Sequence, residues 1–494
     1  MAEPLVLALD QGTTSSRAFV VDAAARVVAM AQEEFAQIYP RPGWVEHDPE
    51  EIWRTALSTA RAALEEAEAK GGRVAAIGIA NQRETTIVWE RDTLKPIANA
   101  IVWQDRRTAA ECARARADGL EPMISDRTGL LLDPYFSATK LGWLLDNTPG
   151  AREKAAAGAL AFGTVDAFLL ARLTGGVHAT DATNAARTSL YNIRTNAWDD
   201  DLLRVFNAPA ACLPEVKDNI AAFGDVVETH FGRKIPVRGM VGDQQGAAIG
   251  QACFEAGEAK STYGTGCFAL ASTGETLVQS SNKLLSTIAS RIDGRTAYAL
   301  EGSIFVAGAV MQWLRDELGV ITTAAESEDI AKSIDDTGGV YFAPAFAGLG
   351  APHWDADARG AIIGLTRGAG KAEIVRAALE SAAYQTADLL GAMAADGAAV
   401  NRLKVDGGMA ANDWLMQFMA DICDRPVERP EMLETTALGA AFLAGVGAGV
   451  FENLEAARGV RKVAATFEPN MATAEREEKL AGWRDMLGRV RTNA

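Results

Sequence analysis

A chain of 494 residues, 48% hydrophobic and 23% charged, is too long for one compact core and has a globular balance, so two domains are expected. Its formal net charge of −17 argues against nucleic-acid or anionic-membrane partners and requires local donors for any bound phosphate. Five cysteines (Cys112, Cys212, Cys253, Cys267, Cys423) and four histidines (His47, His178, His230, His353) show no disulfide framework or metal spacing.

The chain opens with "LALDQGTTSSRAFVVD", residues 7 to 22, read as strand, turn and strand. Asp10 interrupts the only N-terminal apolar stretch, so no signal peptide is expected and the chain reads as cytoplasmic. Next, "HDPEEIWRTALSTARAALEEAEAK" predicts a helix with Asp48 as cap, Pro49 at the first position and Glu51 completing a capping box. "VAAIGIA" from Val74 is a buried strand that ends in the polar turn "NQRETT", and helices and strands alternate onward, which predicts an α/β fold. "VGDQQGAAIG" places Asp243 between a short apolar strand and a helix. The second half repeats the opening device in "AKSTYGTGCFALAST", and "LKVDGGMA" adds another strand ending in glycines, before the helix "NDWLMQFMADIC". This repetition predicts two related domains facing a shared cleft, with a boundary near Gly246 to Ala256 and a hinge of packed elements. "TTALGAAFLAGVGAGVF" from Thr435 is short and glycine-rich for a membrane span and predicts a buried helix.

Several of these turns carry donors that a hairpin does not need. Gly12 permits close backbone approach, Thr13, Thr14 and Ser15 offer hydroxyls and N–H groups, and Arg17 offers a planar fork. Asp10 can hold Mg²⁺ through water. With the glycine turns at 263–266 and 406–408, the pattern points to a clamped nucleotide. Arg83 and Glu84 offer the donors and acceptors a neutral polyol needs, although an isolated pair of this kind also reads as a surface ion pair. Asp243 reads as a base for a substrate hydroxyl or, equally, as a helix cap. Trp103, Tyr135 and Phe268 read as core or as ligand wall. "GAGK" at 368–371 has Leu365 where a P-loop needs its first glycine, and "GVGAG" at 445–449 does not follow a strand, so neither reads as a nucleotide motif.

"DQGTTSSR", "NQRETT", "WQDRRT", "DPYFSATK", "GDQQGA", "YGTGCF", "GLGAPHWD" and "VDGGMAAN" together resemble the FGGY carbohydrate kinase family, and within it the glycerol-phosphorylating branch, from the first strand to about Pro469. The resemblance implies an α/β fold of two actin-like (ribonuclease H-like) ATPase domains around a central cleft, residues 1–250 and 251–494. It implies ATP-dependent phosphorylation of glycerol with Mg²⁺, in a homodimer or homotetramer. By the family's pattern Thr13, Thr14, Ser15, Arg17, Thr265, Gly266, Gly308, Gln312, Gly408 and Asn412 serve the nucleotide. Arg83, Glu84, Trp103, Tyr135, Asp243, Gln244 and Phe268 hold glycerol, Asp243 is the base, and Asp10 and Asp243 organise Mg²⁺. Enterobacterial members carry a glycine-rich insertion that helps to bind fructose 1,6-bisphosphate. It is absent from "VVETHFGRKIPVRG", residues 226 to 239, which implies no inhibition through that site.

Overall fold

The computed structural model describes residues 4–492. Two mixed sheets organise it. The first contains β1 (Pro4–Gln11), β2 (Ser15–Val21), β3 (Val27–Glu34), β4 (Arg73–Asn81), β5 (Ile220–Asp225) and β6 (Pro236–Gly242), in the order β5-β6-β4-β1-β2-β3. The second contains β7 (Glu258–Tyr263), β8 (Cys267–Gly274), β9 (Leu285–Ile292), β10 (Arg295–Ile304), β11 (Arg402–Asp406), β12 (Val427–Pro430) and β13 (Val463–Phe467), in the order β9-β10-β8-β7-β11-β12-β13.

The two sheets share a five-stranded order, β3-β2-β1-β4-β6 and β10-β8-β7-β11-β12, and differ at their edges, where β5 precedes β6 in the chain but β13 follows β12. A three-stranded antiparallel meander (β1-β2-β3; β7-β8-β10) is followed by two parallel strands beside its first member (β4 and β6; β11 and β12) and an antiparallel edge (β5; β13). The second sheet adds β9 at its meander edge. The repetition suspected from the glycine turns is therefore a repetition of strand order.

Helix α1 (Pro49–Ala69) starts as its sequence predicts, with Asp48 accepting from the Glu50 N–H at 2.9 Å. The expected capping box does not form, because the Glu51 carboxylate accepts two bonds from Arg54, at 3.1 and 2.8 Å. A charged partner one turn away outcompetes the weaker backbone donor.

Helices α2 (Asp243–Gly250), α3 (Gly308–Asp316), α4 (Lys371–Ala395), α5 (Asp413–Cys423) and α6 (Thr435–Gly447) matter most for the site. Helix α6 is apolar on all sides and accordingly buried. It follows the parallel strands of the second sheet yet packs on the first, where Ala437, Leu438 and Ala441 join Val6, Ala8, Ala76, Ala80 and Val241 in one core. It also crosses α2 at backbone contact: a Cβ on Gly439 would lie 1.9 Å from the Gly246 carbonyl oxygen. Among the described residues no helix is long and apolar enough to cross a membrane.

Candidate active site

Three parallel strands of the first sheet end together. Asp10 pairs with Ala80 and Gln11 with Asn81, while Asn81 pairs with Gly242. The polar turns after β1, β4 and β6 therefore share one end of the sheet, where open α/β sheets bind ligands.

In the first turn the Gly12 N–H donates to the Ser15 carbonyl at 2.9 Å. Gln82 Nε2 holds the turn from below, donating to the Gly12 carbonyl at 3.0 Å and to Gln11 Oε1 at 3.1 Å. Thr14 is exposed, Thr13 half-buried and Ser15 buried. Arg17 sits opposite Asp10 across β1 and β2, its Nε 3.9 Å from Asp10 Oδ2, and its far end pairs with Glu434 just before α6.

Arg83 and Glu84 are both buried, so the surface-pair reading fails. Arg83 forks onto Glu301 of β10, with Nη1 donating to Oε2 at 2.5 Å and Nη2 to Oε1 at 2.9 Å. Its Nε lies 3.2 Å from Asp243 Oδ1. Arg187 completes the cluster, donating from Nε to Glu84 Oε1 at 2.6 Å and from Nη2 to Glu301 Oε1 at 3.0 Å. Glu84 itself has a positive φ of 62°, a costly conformation for a non-glycine residue. Its carbonyl accepts from Ser137 Oγ at 3.0 Å, which helps to fix that shape. Burial raises the Glu84 carboxyl above its ordinary range, with Arg187 and Arg83 opposing. Burial also opposes ionisation of Glu301, but Arg187 and Arg83 prevail and hold it down at about 2.

Trp103, Tyr135 and Phe268 meet over this cluster. The Trp103 ring packs edge-on against Tyr135 at 5.6 Å and Phe268 at 6.1 Å. Its indole Nε1 donates to Thr13 Oγ1 at 3.0 Å. One side chain thus joins an aromatic wall to the hydroxyl-rich turn.

Asp243 is the first residue of α2, with Gly242 as the cap. Its Oδ1 accepts from the Gln244 N–H at 2.6 Å, and its side chain is 27% exposed. Burial raises its carboxyl, opposed by Arg83 and Lys260. Lys260 is fully buried on β7. It donates to the Gln244 side-chain oxygen, to Thr262 Oγ1 at 3.0 Å and to the Phe268 carbonyl at 3.1 Å. Burial lowers its ammonium, while Asp406 and Asp243 oppose the shift.

The glycine turns of the second sheet also meet. The Thr265 carbonyl accepts from the N–H groups of Ala307 and Ala309 at 2.9 and 3.0 Å, which seats Gly308 and α3 against the turn containing Gly266. Gly407 has φ +86°, and a Cβ there would lie 2.4 Å from the Tyr263 carbonyl oxygen, so only glycine fits. Gly408 is exposed beside it, and Gln312 is exposed on α3. Asn412 caps α5, accepting from the Leu415 N–H at 2.8 Å, which commits its side-chain oxygen.

The first turn of α6 ties the three regions together. Glu434 pairs with Arg17, Thr435 Oγ1 donates to Asp406 Oδ2 at 2.5 Å, and Thr436 Oγ1 donates to the Asp243 carbonyl at 3.2 Å. Sequence reasoning missed this junction, along with Gln82, Arg187, Lys260 and Glu301. Glu301 had a readable signal. It is the only charge between Thr296 and Trp313, and a lone charge in an apolar strand is buried only with a partner.

The donor set fits a hard dication. Asp10 is pushed up to about 6 by burial, against Arg17, with Glu434 and Asp243 adding to the rise. A nearby cation would relieve that repulsion. Among the described residues no group of three or more His, Cys, Asp or Glu side chains is placed to hold a metal. A two-carboxylate site suits Mg²⁺, which keeps several waters and takes substrate phosphates as ligands.

The chain matches the FGGY family of carbohydrate kinases, the N-terminal domain over residues 5–250 and the C-terminal domain over residues 259–448. It is 62% identical over 492 residues to a glycerol kinase of Rhodospirillum centenum, covering 99% of both chains. It is 58% identical to a glycerol kinase of Chelativorans sp., covering 99% of this chain and 98% of the relative. Among solved structures, Plasmodium falciparum glycerol kinase with ADP is 38% identical with a TM-score of 0.95, covering 99% of this chain and 98% of that one. A xylulose kinase from Lactobacillus acidophilus, 23% identical with a TM-score of 0.87 and 98% coverage of each chain, shares the fold.

Proposed function

The chain belongs to the FGGY family of carbohydrate kinases, and from that premise we propose that it transfers the γ-phosphoryl group of ATP to glycerol, giving sn-glycerol 3-phosphate. Similarity over nearly the full length, at 62% and 58% identity, to relatives named glycerol kinase supports the acceptor, and the ADP in the Plasmodium structure's name supports the nucleotide. The observation that carries the site assignment is the Trp103–Thr13 hydrogen bond. It joins the aromatic side chains beside the Arg83 cluster to the hydroxyl-rich turn, which supports reading the two as neighbouring acceptor and phosphate sites.

In this reading Arg83, Glu84, Tyr135 and Gln244 bond glycerol's hydroxyls, and Trp103 and Phe268 cover its carbon edge. A glycerol hydroxyl has a pKa far above neutral and needs a base as it attacks. Asp243 takes that proton, its basicity raised by burial. Thr13, Thr14, Ser15 and Arg17 hold phosphate from one sheet, and Thr265, Gly266, Gly308, Gln312, Gly408 and Asn412 hold the nucleotide from the other. Asp10 and Asp243 would hold Mg²⁺, which when bound offsets charge on the transferring group. Expulsion of water from the cleft keeps ATP from wasteful hydrolysis. We divide the chain into domains 1–250 and 251–494 and assign a cytoplasmic homodimer or homotetramer.

ADP release by the purified enzyme, measured with glycerol, xylulose, ribulose and gluconate and with the product identified, tests this. Glycerol-dependent release and glycerol 3-phosphate are expected. Faster turnover on any of the other three would overturn the acceptor assignment.

A further inference from the structure

We propose that Glu301 is a positioning residue for the acceptor site, holding Arg83 from the opposite sheet so that acceptor binding requires both halves of the molecule. This rests on the reading of Arg83 as an acceptor-binding residue.

Glu301 lies inside β10, opposite Leu270 on β8 and Leu285 on β9. Directly opposed residues share a sheet face, and alternate residues of a strand do too. Glu301 therefore points to the same side as Phe268, two residues from Leu270. That side faces Arg83, which is 218 residues away in the chain and belongs to the end of the other sheet.

The geometry fixes more than a distance. Two parallel N–H bonds from Arg83 to one carboxylate set the plane of the guanidinium. Nη1 also donates to Gln245 Oε1 at 3.1 Å, on α2. With the plane held, Nε faces Asp243 at 3.2 Å. Arg187 contributes a third bond to the same carboxylate and carries the opposing charge of a second guanidinium. Glu301 thus separates two cations that would otherwise repel across the acceptor site. If its charge is lost, Arg83 keeps only Asp243, Glu84 and Gln245 as partners and turns toward the carboxylates it is meant to present to glycerol.

Of the other carboxylates near Arg83, Glu84 is taken by Arg187, and Asp243 is the base. The anchor comes from the second sheet, so displacement of one sheet relative to the other withdraws it.

The test is a double-mutant cycle. Glu301→Gln keeps shape and removes charge, Glu301→Asp keeps charge and shortens the reach, and each is made alone and with Arg83→Ala. The Michaelis constants for glycerol and ATP and the turnover number are read for every variant. Glu301→Gln is expected to raise the glycerol KM on the order of tenfold or more, the range for a lost charged hydrogen-bond partner, with the ATP KM within about twofold. Glu301→Asp recovers part of the loss. Because Glu301 acts mainly through Arg83, adding either substitution to Arg83→Ala changes the glycerol KM by several-fold less than the same substitution does in the wild-type background, the remainder passing through Arg187 to Glu84. Glu301→Asp supplies the cycle if Glu301→Gln does not fold. Multiplicative losses in the double variants, or equal changes in both KM values, overturn the role. A wild-type enzyme that ignores glycerol overturns the proposed function and this role with it. A wild-type enzyme that uses glycerol while the losses multiply overturns this role alone.

Discussion

Replacing Gly439 by alanine tests whether the crossing of α2 and α6 sets the position of the base. A Cβ there would sit 1.9 Å from the Gly246 carbonyl oxygen and 2.7 Å from its carbonyl carbon, both backbone atoms. An ordinary carbon–oxygen contact needs about 3.4 Å, so the helices must part by roughly 1.5 Å. Helix propensity favours alanine by about 1 kcal/mol, whereas overpacking costs about 1–3 kcal/mol. Because the obstructing atoms are backbone and cannot swing aside, the overpacking cost sits at the upper end of that range, and the net loss of stability is about 2 kcal/mol. Activity suffers more, because Asp243 heads α2, and a misplacement near 1 Å costs on the order of 10²-fold. Gly391→Ala is the control. It lies in α4 with nothing within 4 Å of the added Cβ, so it should gain about 1 kcal/mol and leave turnover unchanged. Thermal unfolding and steady-state glycerol phosphorylation read both quantities. Turnover of Gly439→Ala within about threefold of wild type would refute the claim that this crossing positions the base.

Asp243→Asn should lower turnover by about 10²–10⁴-fold, toward the high end if the carboxylate also contacts a metal, with nucleotide affinity near wild type. Retained turnover within a few-fold would remove Asp243 as the base. His47 is held down at about 4 by burial, from an ordinary 6.5. Between these values the unfolded chain binds a proton that the folded chain does not, so this group's stabilisation is complete above pH 6.5 and lost as pH falls toward 4. His47→Gln should therefore lose about 2 kcal/mol less than wild type between pH 7 and 5, read by urea unfolding at each pH; parallel curves would contradict it. Fructose 1,6-bisphosphate should not inhibit through the 226–239 segment, where Arg233 is bonded to Glu68 at 2.7 Å and to the Val74 carbonyl at 3.2 Å. Saturable inhibition at low salt, across several enzyme concentrations, would show otherwise.

The sequence alone determined what depends on neighbours in the chain. The hairpin around Gly12, the capped start of α1, the buried strand before Asn81 and the glycine turns at 263–266 and 406–408 follow from propensity, capping and periodicity over a few residues. These were enough for the α/β class, the repeated device and the idea of a phosphate clamp. Arg83 and Glu84 were visible as a pair, but their burial was not. Helix α6 was legible as buried, although nothing local said that it would pack on the first sheet rather than its own. Glu301, Arg187, Lys260 and the junction at Glu434 to Thr436 were decided only by the tertiary structure. The partners of Glu301, Arg187 and Thr436 lie more than 100 residues away in the chain, and Lys260, though only 16 residues from Gln244, reaches it on a separate helix. Which face of a strand meets which cleft depends on how two sheets, each specified by its own pairing, come to rest against α2 and α6. A side chain's charge is encoded locally, but the opposing charge that makes its burial tolerable is supplied by packing.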